Sequence, residues 1–165
     1  MTVQLSRIVC GGQTGADRAA LEAARAAGFP AGGWVPKGRW AEDGPVPDGL
    51  GDLRETESAD PAERTRRNVA DSDATLILSH GPLRGGSALT REEATRLGKP
   101  CLWLDFEQLS IELALDQVLA WLEQHATRVL NVAGPRASED AEIYRDAFAL
   151  VSAVLARRHP KRTRS

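Results

Sequence analysis

The strongest constraint on this chain is an alternation of two hydrophobic periods. Short apolar, β-branched runs read as strands at RIVCGG (7–12), GGWVP (32–36), ATLILSHG (74–81), CLWLD (101–105) and RVLNVAG (128–134). Other segments carry apolar residues at helical spacing. These are 14–28, closing on Gly28; 61–72, with Asp60 as N-cap and Pro61 in its first position; and 87–100, stopped by Gly98 and Pro100. Two more follow: 107–125, with Ile111, Leu115, Val118 and Leu122 along one face, and 141–158. Thr90 with Glu93 fits a capping box for the third helix, and Ser87 fits equally well as its start. Apolar strands separated by helices need cover on both faces, which predicts one doubly wound α/β domain with a parallel sheet over residues 1–156. The stretch 37–58 is too rich in Gly, Pro and charge for a regular element and reads as a long loop.

A chain of 165 residues can bury a core without covalent staples. Cys10 and Cys101 lie far apart in strand-like runs and read as small buried hydrophobes in a reducing compartment, with a reactive or metal-binding thiol as the alternative. No apolar run approaches the roughly 20 residues of a spanning helix. The start of the chain lacks the basic-then-apolar pattern of a signal peptide. A soluble cytoplasmic protein without membrane partners is expected. The net charge of −2 is uneven, because RRHPKRTRS (157–165) carries five Lys and Arg and leaves −7 on the rest. That end reads as a disordered basic tail, and the acidic body argues against a nucleic-acid partner.

In a doubly wound sheet, ligands bind beyond the carboxyl ends of the strands, where strand order reverses. Four loops belong there. In GGQTGAD, a strand passes into a helix through Gly11, Gly12 and Gly15, with Gln13 and Thr14 between them and Asp17 just beyond. Glycine starts helices poorly. One reading is a backbone bared to a phosphate at the positive end of the helix, and the other is a tight turn with no ligand. HGPLRGGSALT repeats the pattern with Gly85, Gly86, Ser87 and Thr90. NVAGPR brings Asn131, Gly134 and Arg136, the last suited to paired hydrogen bonds with phosphate or carboxylate. The long loop offers Lys37 and Arg39, then Glu42 and Asp43.

Several chemistries are excluded. There is no GxxxxGK[ST] phosphate loop and no GxGxxG with a distal acidic residue, and no CxxC pair or HExxH offers a zinc site. Asp17, Glu42, Asp43, Glu92 and Glu93 are available as a general acid or base, but Glu92 and Glu93 also fit a solvated first helical turn. His80, at a strand end, fits a structural role better than a catalytic one. Trp34 and Trp40 fit stacking on a flat heterocycle or plain packing equally.

Read together, GGQTGADRAAL, GGWVPKGRWAEDGPVP, RTRRNVADSDATLIL, GGSALT with GKPC, and RVLNVAGPR resemble the molybdenum carrier proteins. These form the circularly permuted YpsA-like branch of the SLOG superfamily, and the resemblance runs from about residue 7 to 151. It implies a Rossmann-like fold that binds a nucleotide or a nucleotide-derived ligand. The ligand it implies first is the molybdenum cofactor (molybdopterin), a pterin with a terminal phosphate, held without chemistry and passed to molybdoenzyme apoproteins. A nucleotide is the alternative ligand. The resemblance places Gly11, Gly12, Thr14 and Gly15 on one glycine motif, Gly85, Gly86 and Ser87 on a second, and Arg64, Thr65 and Asn68 on a helix motif. Those last three lie at spacings of three and four, so they share a face. It also implies self-association into a homo-oligomer. Related LOG-type enzymes release a base from nucleoside monophosphates through a glutamate in PGGxGTxxE. Here Asp17 follows the first glycines, and Glu92 and Glu93 stand at another spacing, which favours the carrier over the hydrolase. A nucleotide sensor is the third reading.

Overall fold

The computed structural model describes residues 3–157, so all of the basic tail except Arg157 lies outside the described residues. In chain order the elements are β1 (Arg7–Val9), α1 (Ala16–Ala26), β2 (Ala31–Val35), β3 (Trp40–Ala41), β4 (Gly44–Pro45), β5 (Asp52–Glu55), α2 (Pro61–Asp71), β6 (Ala74–Ser79), α3 (Gly85–Arg96), β7 (Cys101–Asp105), α4 (Ile111–Gln124), β8 (Val129–Ala133) and α5 (Ile143–Ala156). Six strands form one wholly parallel sheet in the order β5-β2-β1-β8-β6-β7. The first and last strands therefore lie side by side at its centre, with Ile8 opposite Leu130.

The two faces differ in chemistry. Side chains alternate along a strand, so Leu76, Leu78, Leu130 and Val132 enter one large apolar cluster with α1, α4 and α5. The alanines of α1 (Ala19, Ala20, Ala23 and Ala24) are buried there, and their small size lets α1 lie close against α5. The residues between, Thr75 and Asn131, turn toward α2 and α3, where Asn131 donates from Nδ2 to Thr75 Oγ1 at 3.3 Å. Asn68 in α2 completes this polar side by gripping the β2 backbone twice. It accepts from Trp34 N at 2.8 Å and donates to Trp34 O at 3.0 Å.

Three expectations need correction. The stretch 37–58 is not a loop throughout. It contains the β3–β4 hairpin and the edge strand β5, which pairs with β2 from Gly32–Asp52 to Val35–Glu55. Asp52, Arg54 and Glu55 are exposed, so an edge strand of this kind shows no apolar alternation to read. The capping box at Thr90 and Glu93 does not form. α3 starts at Gly85, and Thr90 sits in its second turn, donating to Gly86 O at 2.8 Å. Finally, α4 begins at Ile111 rather than 107, because Ser110 caps it by accepting from Leu113 N at 3.2 Å.

Central pairing of β1 with β8 drives the loops that follow them into contact. Ala16 N donates to Pro135 O at 3.2 Å. A Cβ on Gly15 would stand 2.3 Å from Pro135 O, and one on Gly134 would stand 2.4 Å from Leu78 O. Both glycines are therefore required by chain crossing alone. Gly134→Ala should lower the urea unfolding midpoint by the equivalent of about 1–3 kcal/mol, the usual cost of overpacking. An unchanged midpoint would show that the crossing has slack.

Candidate functional site

Beyond the carboxyl ends of β1 and β8 lies an open cleft of about 780 Å³, counting the space that opens to solvent. Of the residues expected there, Gly11, Gln13, Asp17, Arg64, Asn68, Gly86, Ser87, Thr90, Asn131, Gly134 and Arg136 line it. Gly12, Thr14, Gly15, Lys37, Arg39, Glu42, Asp43, Gly85, Glu92 and Glu93 are not among its lining residues. Trp40, Pro61, Thr65, Pro135 and Glu139 also contribute to the wall.

The first glycine loop spends its own donors. Gln13 N donates to Asp17 Oδ2 at 3.2 Å, Thr14 N to Gln13 Oε1 at 3.0 Å, and Ala16 N to Pro135 O. The Asp17 carboxylate thus occupies the place at the start of α1 where an external anion was expected. Burial pushes Asp17 up to about 6, against the lowering influence of Arg64, the Gln13 and Gly11 backbone and Arg18. Gly12 has φ +74° and a Cβ there would lie 2.8 Å from Val35, so a side chain at this position tests the fold rather than a ligand.

The acidic pair of the long loop is engaged in tethers. Glu42 accepts from the Thr14 hydroxyl, from Ser138 N at 3.0 Å and from Ser138 Oγ at 2.5 Å, and its backbone N donates to Gln13 Oε1 at 2.9 Å. These bonds, led by the Ser138 and Thr14 hydroxyls, hold its carboxyl below the usual range. Asp43 receives two guanidinium hydrogen bonds from buried Arg18, at 2.9 and 3.1 Å, which lower its carboxyl likewise. Arg39 reaches Val46 O at 3.3 Å and Asp48 at 3.7 Å. The β3–β4 hairpin is thereby bolted across the loops after β1 and β8, and Trp40, about half exposed, is placed at the cleft wall. Arg18 and Ser138 were not legible in the sequence. Their partners lie 25 and 96 residues away, beyond any local pattern.

α2 turns Arg64 into the cleft, where its Nη1 donates to Gly11 O at 2.6 Å. α3 faces it with its N-terminus. Ser87 N and Ala88 N both bond back to Arg84 O, at 3.1 and 3.3 Å, leaving the Gly85 and Gly86 N–H groups without a carbonyl among the described residues. The Ser87 side chain is only 6% exposed, lines the cleft, and its hydroxyl has no partner among the described residues. Gly86 is singular. Every other glycine either has positive φ or would meet a neighbour within 4 Å, whereas Gly86 has neither reason to be glycine.

Glu93 pairs with Arg96 along α3, which holds its carboxyl low. His80 stands at the end of β6 between two carboxylates, with Nδ1 at 2.7 Å from Asp140 Oδ2 and Nε2 at 2.7 Å from Asp146 Oδ2. Burial opposes its charge, but the two carboxylates outweigh burial and raise its pKa above the ordinary value. It ties the loop after β6 to the loop after β8. Among the described residues no three His, Cys, Asp or Glu gather to hold a metal ion, and no helix is long and apolar enough to cross a membrane.

The comparisons agree with this architecture. The family described as circularly permutated YpsA SLOG matches residues 8–155. A crystal structure of a protein described as "Putative molybdenum carrier protein" from Syntrophus aciditrophicus SB is 49% identical. The match covers 94% of this chain and 98% of that one, with a TM-score of 0.91. No curated protein matches.

The His80 strap makes stability depend on pH with a definite sign. A histidine whose folded pKa is raised stabilises the fold fully below its unfolded value near 6.5, and that contribution fades as pH rises through the folded pKa. The melting temperature should therefore fall from pH 6.5 upward, and His80→Gln should flatten the fall. Asp17, raised from 3.8 to about 6, acts in a separate window below pH 6, also losing stability as pH rises. An unaltered slope above pH 6.5 in His80→Gln would remove the strap.

Proposed function

The chain belongs to the circularly permuted YpsA family of the SLOG superfamily, and on that premise we propose that it binds a phosphorylated heterocycle and carries it unchanged. The phosphate lies at the N-terminus of α3, on the Gly86 N–H group and the Ser87 hydroxyl, with Arg64 lining the same cleft. The observation that carries this placement is Gly86, a glycine with open space before it and no conformational need. A helix N-terminus with free N–H groups favours an anion, and a bare Cα lets it approach. The start of α1 is the poorer place, because Gln13 N, Thr14 N and Ala16 N are already bonded within the protein and the Asp17 carboxylate repels a second anion.

The molybdenum cofactor is the ligand this reading favours, given what the crystallised relative is called. Its terminal phosphate suits the α3 site. The cleft gathers hydrogen-bond groups rather than three or more metal-ligating side chains, so the cargo is held by its organic part. Release to a molybdoenzyme apoprotein in the cytoplasm completes the proposed role.

Protein purified from cells that make the cofactor should carry molybdenum near one per chain, with pterin released on denaturation. Nucleotide without molybdenum would replace the cargo, and free base released from a nucleoside monophosphate would overturn carriage. Gly86→Asp should weaken retention roughly a hundredfold, the scale of an unfavourable charge contact. Its melting temperature should stay near that of the parent, since nothing stands within 4 Å of the new Cβ. Full retention in a folded Gly86→Asp protein would remove the phosphate from α3.

A further inference from the structure

Two buried groups in the cleft remain without use in phosphate binding, and they are adjacent. Asp17 is 7% exposed and makes no ion pair among the described residues, although burying an unpaired carboxylate is costly. A carboxylate has about four acceptor positions. Gln13 N takes one of them, leaving acceptor capacity at the cleft. Gln13 is 8% exposed, and its amide orientation is fixed, because Oε1 accepts from both Thr14 N and Glu42 N. The Nε2 end is then a donor, and it has no partner among the described residues. A pair of acceptors thus stands beside a buried donor, joined by the bond from Gln13 N to Asp17 Oδ2.

We propose that Asp17 and Gln13 read the edge of the bound heterocycle and select a 2-amino-4-oxopyrimidine ring, as found in guanine and in pterins. That edge presents an amino N–H, a ring N–H and a carbonyl oxygen in a row. The two N–H donors meet the Asp17 carboxylate, and the carbonyl accepts from Gln13 Nε2. Adenine presents an amino group beside a bare ring nitrogen, which leaves a carboxylate oxygen facing a lone pair. The exposed Trp40 indole at the cleft wall offers a face for the ring. At pH 7.5 the Asp17 carboxyl is ionised, as the pairing requires. The inference rests on the proposed binding of a phosphorylated heterocycle and adds which ring is taken.

The test is calorimetric titration of ligand-stripped full chain at pH 7.5 with GMP, AMP and neopterin monophosphate. GMP and the pterin phosphate should each bind at least about tenfold more tightly than AMP, the discrimination a good bidentate pair supplies. Asp17→Asn, which swaps one acceptor for a donor at constant size, should bring both down to the AMP level. Tight binding of only one of the two identifies the source as nucleotide or pterin and leaves the ring assignment standing. Equal binding of all three ligands overturns the inference while leaving phosphate binding intact, as does a preference that survives Asp17→Asn. Failure of all three to bind overturns the proposed function itself, and the inference with it.

Discussion

The structure depends on one close crossing of backbone. β1 and β8 pair at the centre of the sheet, and the loops that leave them touch where Ala16 N meets Pro135 O. Only bare Cα atoms fit at that point, hence Gly15 and Gly134. From this crossing the rest follows. The crossed loops form one wall of the cleft, Glu42 clamps the β3–β4 hairpin onto both of them, and Trp40 is carried to the rim by the same clamp. The cleft is thus a product of strand order before it is a product of any side chain.

Two glycine-rich turns of similar appearance do different work. In GGQTGAD the glycines answer to neighbouring chain, and the loop's own carboxylate, Asp17, takes the Gln13 N–H. In RGGSALT the first glycine answers to its backbone angle, Gly86 answers to nothing among the described residues, and the hydroxyl of the Ser87 beside it has no partner among them. Composition alone makes the two motifs look alike. What separates them is the space in front of each, and that depends on chain brought from elsewhere.

Much of the fold was legible because the central strands are short, largely buried and mostly apolar, and α2 announces its start with Asp60 and Pro61, where Asp60 accepts from Ala62 N at 3.0 Å. The polar edge strand β5 and the two-residue strands of the hairpin carry no such period and were read as loop. Gathering the loops after β1, β6 and β8 at one edge was legible from the rule for doubly wound sheets. The roles within that edge were not. Glu42 and Asp43 looked like free acids, yet one is a tether to Ser138 and the other a partner for Arg18. Asn68 looked like a ligand contact, yet both ends of its amide are committed to Trp34. Long-range partners decide such roles, and a single sequence does not display them.

The strand order also bears on how the chain is made. The central strand β1 lies in the first ten residues, and one of its two neighbours, β8, is not synthesised until residues 129–133 have been joined. On a ribosome the early strands β1, β2 and β5 would wait as a three-stranded piece with an open central edge, while β6 and β7 formed a second piece. β8 is the insert that joins the two, pairing with β1 on one side and β6 on the other. Contacts of such separation are slow to close. Since the loop after β8 forms part of the cleft wall, the cleft is completed only once β8 is inserted, and no nascent fragment short of β8 would contain it.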